Sequence, residues 1–92
     1  MMNDFNLNLD DYELQDILNL FSIELPITFE DLKQAKKTVL KLHPDKSQLP
    51  SQFFIFYGEA LKVLVHLYSL AINPMINAVI YKELEIRNIT KI

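Results

Sequence analysis

Apolar residues recur at three- and four-residue steps through most of this sequence, and that spacing is typical of amphipathic helices. The first apolar residues with this spacing predict a helix over about 11–21. They are Tyr12, Leu14, Ile17, Leu18 and Phe21. Pro26 follows this segment, and a proline disfavours helical backbone in the residue before it. We therefore expect the first helix to end before Pro26.

A second amphipathic helix is predicted over about 29–42. Thr28 and Asp31 suit its start, because a threonine side chain accepts a free backbone N–H there and an acid complements the positive end of the helix dipole. One arc of ~80° on this helix contains the apolar positions expected to be buried, which are Leu32, Ala35, Val39 and Leu42. His43-Pro44 then ends the helix, since proline lacks the N–H donor.

A third helix is predicted over about 51–72, after a loop over 45–51. It is almost wholly apolar apart from one narrow polar stripe, formed by Glu59, Lys62, His66 and Ser69. This density is close to that of a membrane span, but each charge would cost at least ~2.5 kcal/mol at mid-bilayer. We therefore expect the core helix of a soluble protein and no membrane partner.

The residues after Asn73-Pro74 also have apolar side chains at helical steps, although isoleucine suits a strand as well; they are Met75, Ile76, Val79, Ile80 and Leu84. We expect a helix here. The 92 residues suffice for one small all-α domain. We divide the chain into a solvated lead-in over 1–9, a helical domain over 10–72 and a C-terminal segment over 73–92.

Composition and charge exclude several classes of function. The chain has no cysteine and one glycine, so it lacks a thiol nucleophile, a cysteine-based metal site and a glycine-rich phosphate loop. The first 32 residues carry eight acids and no base, whereas residues 33–46 carry five lysines and one acid. A short basic block on an acidic chain indicates one electrostatic contact face and argues against general nucleic-acid binding. His43 and His66 lack paired metal-ligand spacing, so we expect no metal, no cofactor and no enzyme.

The candidate chemistry lies at the end of the second helix, where His43, Pro44 and Asp45 are consecutive. Pro44 stiffens the turn, and an exposed Asp45 carboxylate suits a bidentate bond from a partner's arginine. The adjacent lysine face would steer an acidic partner surface into register; we define it as Lys33, Lys36, Lys37 and Lys41, with Leu40 among them. The same residues are also consistent with an ordinary helix stop and a solvated helix surface.

The stretch LKLHPDKS, together with FxxxxEAxxVL at Phe54, Glu59, Ala60, Val63 and Leu64, resembles a J-domain, the co-chaperone module of the DnaJ-like family. The resemblance covers roughly residues 10–72. It implies an antiparallel hairpin of the second and third helices joined by the HPD loop. It also implies that the chain binds a DnaK-class ATP-dependent heat-shock chaperone and stimulates its ATP hydrolysis. The residues so implied in chaperone binding are His43, Pro44, Asp45, Lys46, Leu40 and the lysine face.

The resemblance is to a divergent member of that family. The family commonly carries a tyrosine one to two turns before the histidine, where this sequence has Ala35 and Lys36. The alternative is a structural or scaffolding helical module whose HPD motif is a relic, with the apolar third helix forming an oligomer. We expect a cytoplasmic location, because the acidic start lacks the basic-then-apolar order of a signal peptide.

Overall fold

The computed structural model describes residues 7–86, and within that range every regular element is helical. The predicted all-α class is therefore confirmed for the described residues. The elements, in chain order, are a 3₁₀ turn Leu9–Asp11, α1 Leu14–Leu20, α2 Phe29–Lys41, α3 Pro44–Ser47, α4 Ser51–Ile72, a second 3₁₀ turn Pro74–Ile76 and α5 Asn77–Leu84. Most of the expected lead-in, and the end of the C-terminal segment, lie outside the described residues.

The long helix α4 is the centre of the molecule, and α1, α2, α5 and both 3₁₀ turns all contact it. Its inward side chains are fully buried, as those of Phe54, Leu61 and Leu64 are. By length and mean hydropathy, 1.4 over its most apolar window, α4 alone among the described helices could cross a membrane. Here it forms the core on which the shorter helices pack.

Helices α2 and α4 run in opposite directions. Near one end of the pair, the ring of Phe29 at the start of α2 lies 6.5 Å from that of Tyr68 late in α4. Near the other end, the ring of His43 just after α2 lies 5.1 Å from that of Phe54 early in α4. Between these contacts the apolar stripe of α2 faces inward, with Leu32, Ala35 and Val39 buried. Leu42, predicted to be buried with them, is half-buried.

The start of α2 agrees with the sequence prediction. The Thr28 hydroxyl accepts the N–H of Asp31 at 3.1 Å, and the Asp31 carboxylate accepts the N–H of Thr28 at 2.9 Å. This reciprocal pair is a capping box, which satisfies two backbone donors that the helix leaves free. It sets where α2 begins and therefore which turn carries each lysine.

The first helix is shorter than predicted, because two side chains bind the backbone locally. The Asn8 side chain accepts the N–H of Asp10, which favours the 3₁₀ turn. Tyr12 and Glu13 are then extended, and the Asp16 carboxylate accepts the N–H of Glu13 at 3.0 Å as α1 begins. Such bonds compete with helix formation, so the predicted helix over 11–21 was wrong at its start.

The C-terminal segment closes the core on the flank of α4 that α2 does not cover. Ile80 and Leu84 of α5 are buried in the same cluster as the residues of α4, and Ile86 beyond α5 is fully buried. Ile86 donates its N–H to the carbonyl of Tyr81 at 3.1 Å, while Glu85 adopts a left-handed φ of 57°. This ending is a Schellman motif, which turns the chain back onto the helix it leaves.

The polar stripe of α4 contains three residues and not four. Glu59 and His66 are exposed, and Lys62 pairs with Glu59 at 3.2 Å. Ser69, in contrast, is buried, because its hydroxyl donates to the carbonyl of His66 at 2.8 Å. A serine whose hydroxyl is hydrogen-bonded to its own helix can be buried in an apolar core at little cost. The spacing of polar residues in the sequence does not distinguish such a serine from an exposed one.

We expect the substitution Ile86→Ala to lower the free energy of unfolding by about 2–4 kcal/mol, since it removes a fully buried side chain and leaves a cavity. That is a large part of the ~5–15 kcal/mol typical of a native domain. Val79→Ala on α5 is the matched control, because Val79 is 56% exposed and should change stability by less than ~0.5 kcal/mol. Urea denaturation followed by circular dichroism measures both. Equal effects would contradict the closing role of the segment.

Candidate functional site

The HPD turn, which we define as His43, Pro44 and Asp45, joins α2 to α4 through the one-turn helix α3, Pro44–Ser47. The loop predicted over 45–51 is therefore partly helical. The reason is that Pro44 occupies the first helical position, where its fixed φ suits a helix and its missing N–H is not needed. Pro44 thus ends α2 and also begins α3, and only the first of these roles was predicted.

His43 caps α3 with its own side chain. Its Nδ1 accepts the N–H of Asp45 at 3.2 Å, and its carbonyl accepts the N–H groups of Lys46 and Ser47, each at 2.9 Å. His43 therefore orders the turn, a role beyond the surface presentation that the sequence suggested.

Two further residues hold the HPD turn in place from beneath. The ring of His43 meets that of the fully buried Phe54 in an edge-on contact at 5.1 Å. The Ser47 hydroxyl donates to the carbonyl of Leu42 and accepts the N–H of Leu49, both at 3.1 Å. Ser47 thus connects the end of α2 to the segment leading into α4. The sequence alone does not indicate this role of Ser47, because both partners are backbone groups.

Asp45 is the most accessible part of the HPD turn. Its side chain is 91% exposed, and Oδ2 lies 3.8 Å from Nδ1 of His43. At that distance the contact is too long for a hydrogen bond, so the carboxylate lone pairs face solvent. A carboxylate presented in this way can accept two parallel N–H bonds from an arginine of a partner protein.

The lysines of the lysine face differ in their exposure, in their ion pairs and in their distance from the HPD turn. Lys37 and Lys41 are exposed, as is Lys46 in α3, and Leu40 is exposed among them. Lys36 is half-buried. Lys33 pairs with Glu30 at 3.3 Å and lies 5.4 Å from the ring centroid of Phe29. At ~1.5 Å rise per residue it is also roughly 15 Å from His43 along α2.

Within residues 7–86, no three histidine, aspartate or glutamate side chains gather in a way that could hold a metal ion. His66, the second histidine, is exposed on α4. The candidate site is the HPD turn with the exposed lysines beside it, and these groups offer hydrogen bonds and charge to a partner. Comparisons with family models, curated proteins and solved structures return no match for this chain.

We expect Ser47→Ala to lower the free energy of unfolding by about 1 kcal/mol, since it removes two hydrogen bonds that join α2 to the approach of α4. Ser51→Ala, in the first turn of α4, is the control and should have an effect below ~0.5 kcal/mol. Thermal and urea unfolding of both variants check this. If Ser47→Ala is as stable as Ser51→Ala, the hydroxyl does not order the turn.

Proposed function

We propose that this chain is a J-domain-like co-chaperone that binds a DnaK-class ATP-dependent heat-shock chaperone and stimulates its ATP hydrolysis. The observation that carries the proposal is the ordered HPD turn at the joint of α2 and α4, with the Asp45 carboxylate 91% exposed. In this proposal, the antiparallel pair of α2 and α4 is the J-domain-like hairpin. The motif in the third predicted helix, from Phe54 to Leu64, adds support.

The proposed mechanism assigns one task to each part of the site. The Asp45 carboxylate accepts a bidentate bond from an arginine of the chaperone. Lys37, Lys41 and Lys46 attract an acidic surface and mainly raise the rate of association, and the exposed Leu40 contributes an apolar contact. The chain supplies no catalytic group, because hydrolysis takes place in the chaperone's own nucleotide site. Binding at the HPD turn biases the chaperone toward its hydrolysing state.

The order of the turn matters to this mechanism. A partner arginine binds more tightly when the backbone that carries the carboxylate is already ordered, because less conformational entropy is lost on binding. Pro44 restricts the backbone before Asp45, and His43 fixes the N–H of Asp45. His43 is therefore a positioning residue in this proposal, and Asp45 is the contact residue.

We expect Asp45→Asn to abolish stimulation of the steady-state ATPase of a DnaK-class chaperone while the melting temperature stays within about 2 °C of wild type, since an exposed substitution changes stability little. His43→Gln should abolish stimulation and also cost about 1 kcal/mol of stability, because it removes a helix cap. Glu83→Gln on α5, also exposed, is the control and should stimulate normally.

Two results would contradict the proposal. Full stimulation by Asp45→Asn would remove the assigned contact residue. No stimulation by the wild-type chain, measured with several DnaK-class chaperones, would favour the scaffolding alternative.

We expect the double substitution Lys37→Glu with Lys41→Glu to slow association with the chaperone at least about tenfold at low ionic strength and to flatten the salt dependence, since steering charges act on the encounter rate. Lys82→Glu is the control, because Lys82 is an exposed lysine on α5. Stopped-flow association over a salt series separates the two variants. Equal rates for both would mean that the lysine face is an ordinary solvated surface.

A further inference from the structure

The end of α4 far from the HPD turn carries an apolar groove of about 630 Å³. We call it the distal groove; its lining comes from α1, the connection to α2 and the last turns of α4, and consists of Leu14, Leu25, Pro26, Ile27, Leu67, Tyr68, Ala71 and Ile72. Several of these side chains are open to solvent, with Leu25 61% and Ile72 56% exposed. Exposed apolar grooves of this kind are typical of binding sites on proteins.

The charges next to the distal groove are all of one sign on the side of α1 and the connection to α2. Glu13 precedes Leu14 and Glu24 precedes Leu25, and the first 32 residues contain no base. Glu24 is exposed, and the described residues offer it no ion pair. An apolar groove beside the exposed Glu24 carboxylate, which has no ion pair among the described residues, favours a ligand with apolar anchors and a cationic flank.

We propose that the distal groove binds an amphipathic peptide segment of another protein, with leucine-like anchors on one face and lysine or arginine beside them. Such a segment would fill the groove with side chains spaced three and four apart along a helix. The acidic surroundings disfavour both an acidic peptide and an anionic membrane surface. A second copy of this chain is also disfavoured, since isologous pairing would bring Glu13 and Glu24 of both copies together.

The distal groove is separate from the HPD turn. Phe54 lies beneath the turn and Ala71 lines the groove, and roughly 25 Å of α4 separates them at ~1.5 Å per residue. Occupation of one site therefore does not block the other. This inference goes beyond the proposed function and is tested without any chaperone.

The test uses the full chain and a fluorescein-labelled peptide of about 18 leucines and lysines patterned for an amphipathic helix, with a leucine–glutamate peptide of the same pattern for comparison. Fluorescence anisotropy should show the lysine peptide binding at least about tenfold more tightly. Ala71→Trp fills the groove and should weaken binding by about tenfold or more. Ala78→Trp, on the exposed side of α5, is the matched control and should bind as wild type.

A second pair of variants keeps the test decisive if tryptophan disturbs the fold. Glu24→Lys should weaken binding of the lysine peptide several-fold at low salt, whereas Glu83→Lys on α5 should not, because no residue of α5 lines the groove. Equal binding of both peptides, or equal binding by Glu24→Lys and Glu83→Lys, would overturn the proposal.

Two further outcomes would replace the proposed occupant. Sedimentation showing a wild-type dimer that Ala71→Trp dissociates would assign the groove to a second copy. Binding to phosphatidylcholine vesicles that Ala71→Trp abolishes, with no peptide binding, would assign it to a membrane.

Discussion

The burial of α4 is the constraint on which the rest of the molecule depends. A helix of 22 residues that is apolar on most sides cannot remain in water, and a chain of this size has few elements with which to cover it. The covering helices are short, with α1 seven residues long and α5 eight. Isolated helices of that length are marginally stable in water. The short helices are therefore stabilised by packing on α4, and α4 in turn is buried by them.

The same constraint sets the position of the candidate site. Because α2 covers one side of α4 in the opposite direction, the end of α2 must meet the start of α4, and the HPD turn lies where they meet. Burial of Phe54 then provides a fixed surface under His43. The packing of Phe54 in the core thus helps to fix the position of the turn that carries the exposed Asp45 carboxylate. The lysines of α2 lie away from the core because its inner side is occupied, and Lys41 in its last turn is next to the HPD turn.

Sequence reasoning succeeded where a pattern has one physical meaning. Thr28 and Asp31 suit a helix start, and the apolar residues of α2 recur at helical spacing, so α2 and α4 were predicted within one residue at each end. It failed where side chains bind nearby backbone, as at Asn8 and Ser69. For the candidate site, the residues of the HPD turn and the lysines beside it were named as candidates from their order in the chain. The roles of Ser47 and of the His43–Phe54 contact were not, because they depend on which helices meet.

Three of the residues within 7–86, Ser22, Gln48 and Glu85, have left-handed backbone, which has a consequence for how this protein could change. Each lies on the surface and ends a helix, and the chain's one glycine is elsewhere, inside α4. A side chain in that conformation costs roughly 1 kcal/mol that glycine would not incur, partly offset by the flexibility glycine adds to the unfolded chain. Glycine at these three surface positions would therefore relieve part of this cost without changing a residue of the candidate site. Stability gained in this way would offset a destabilising substitution in the HPD turn.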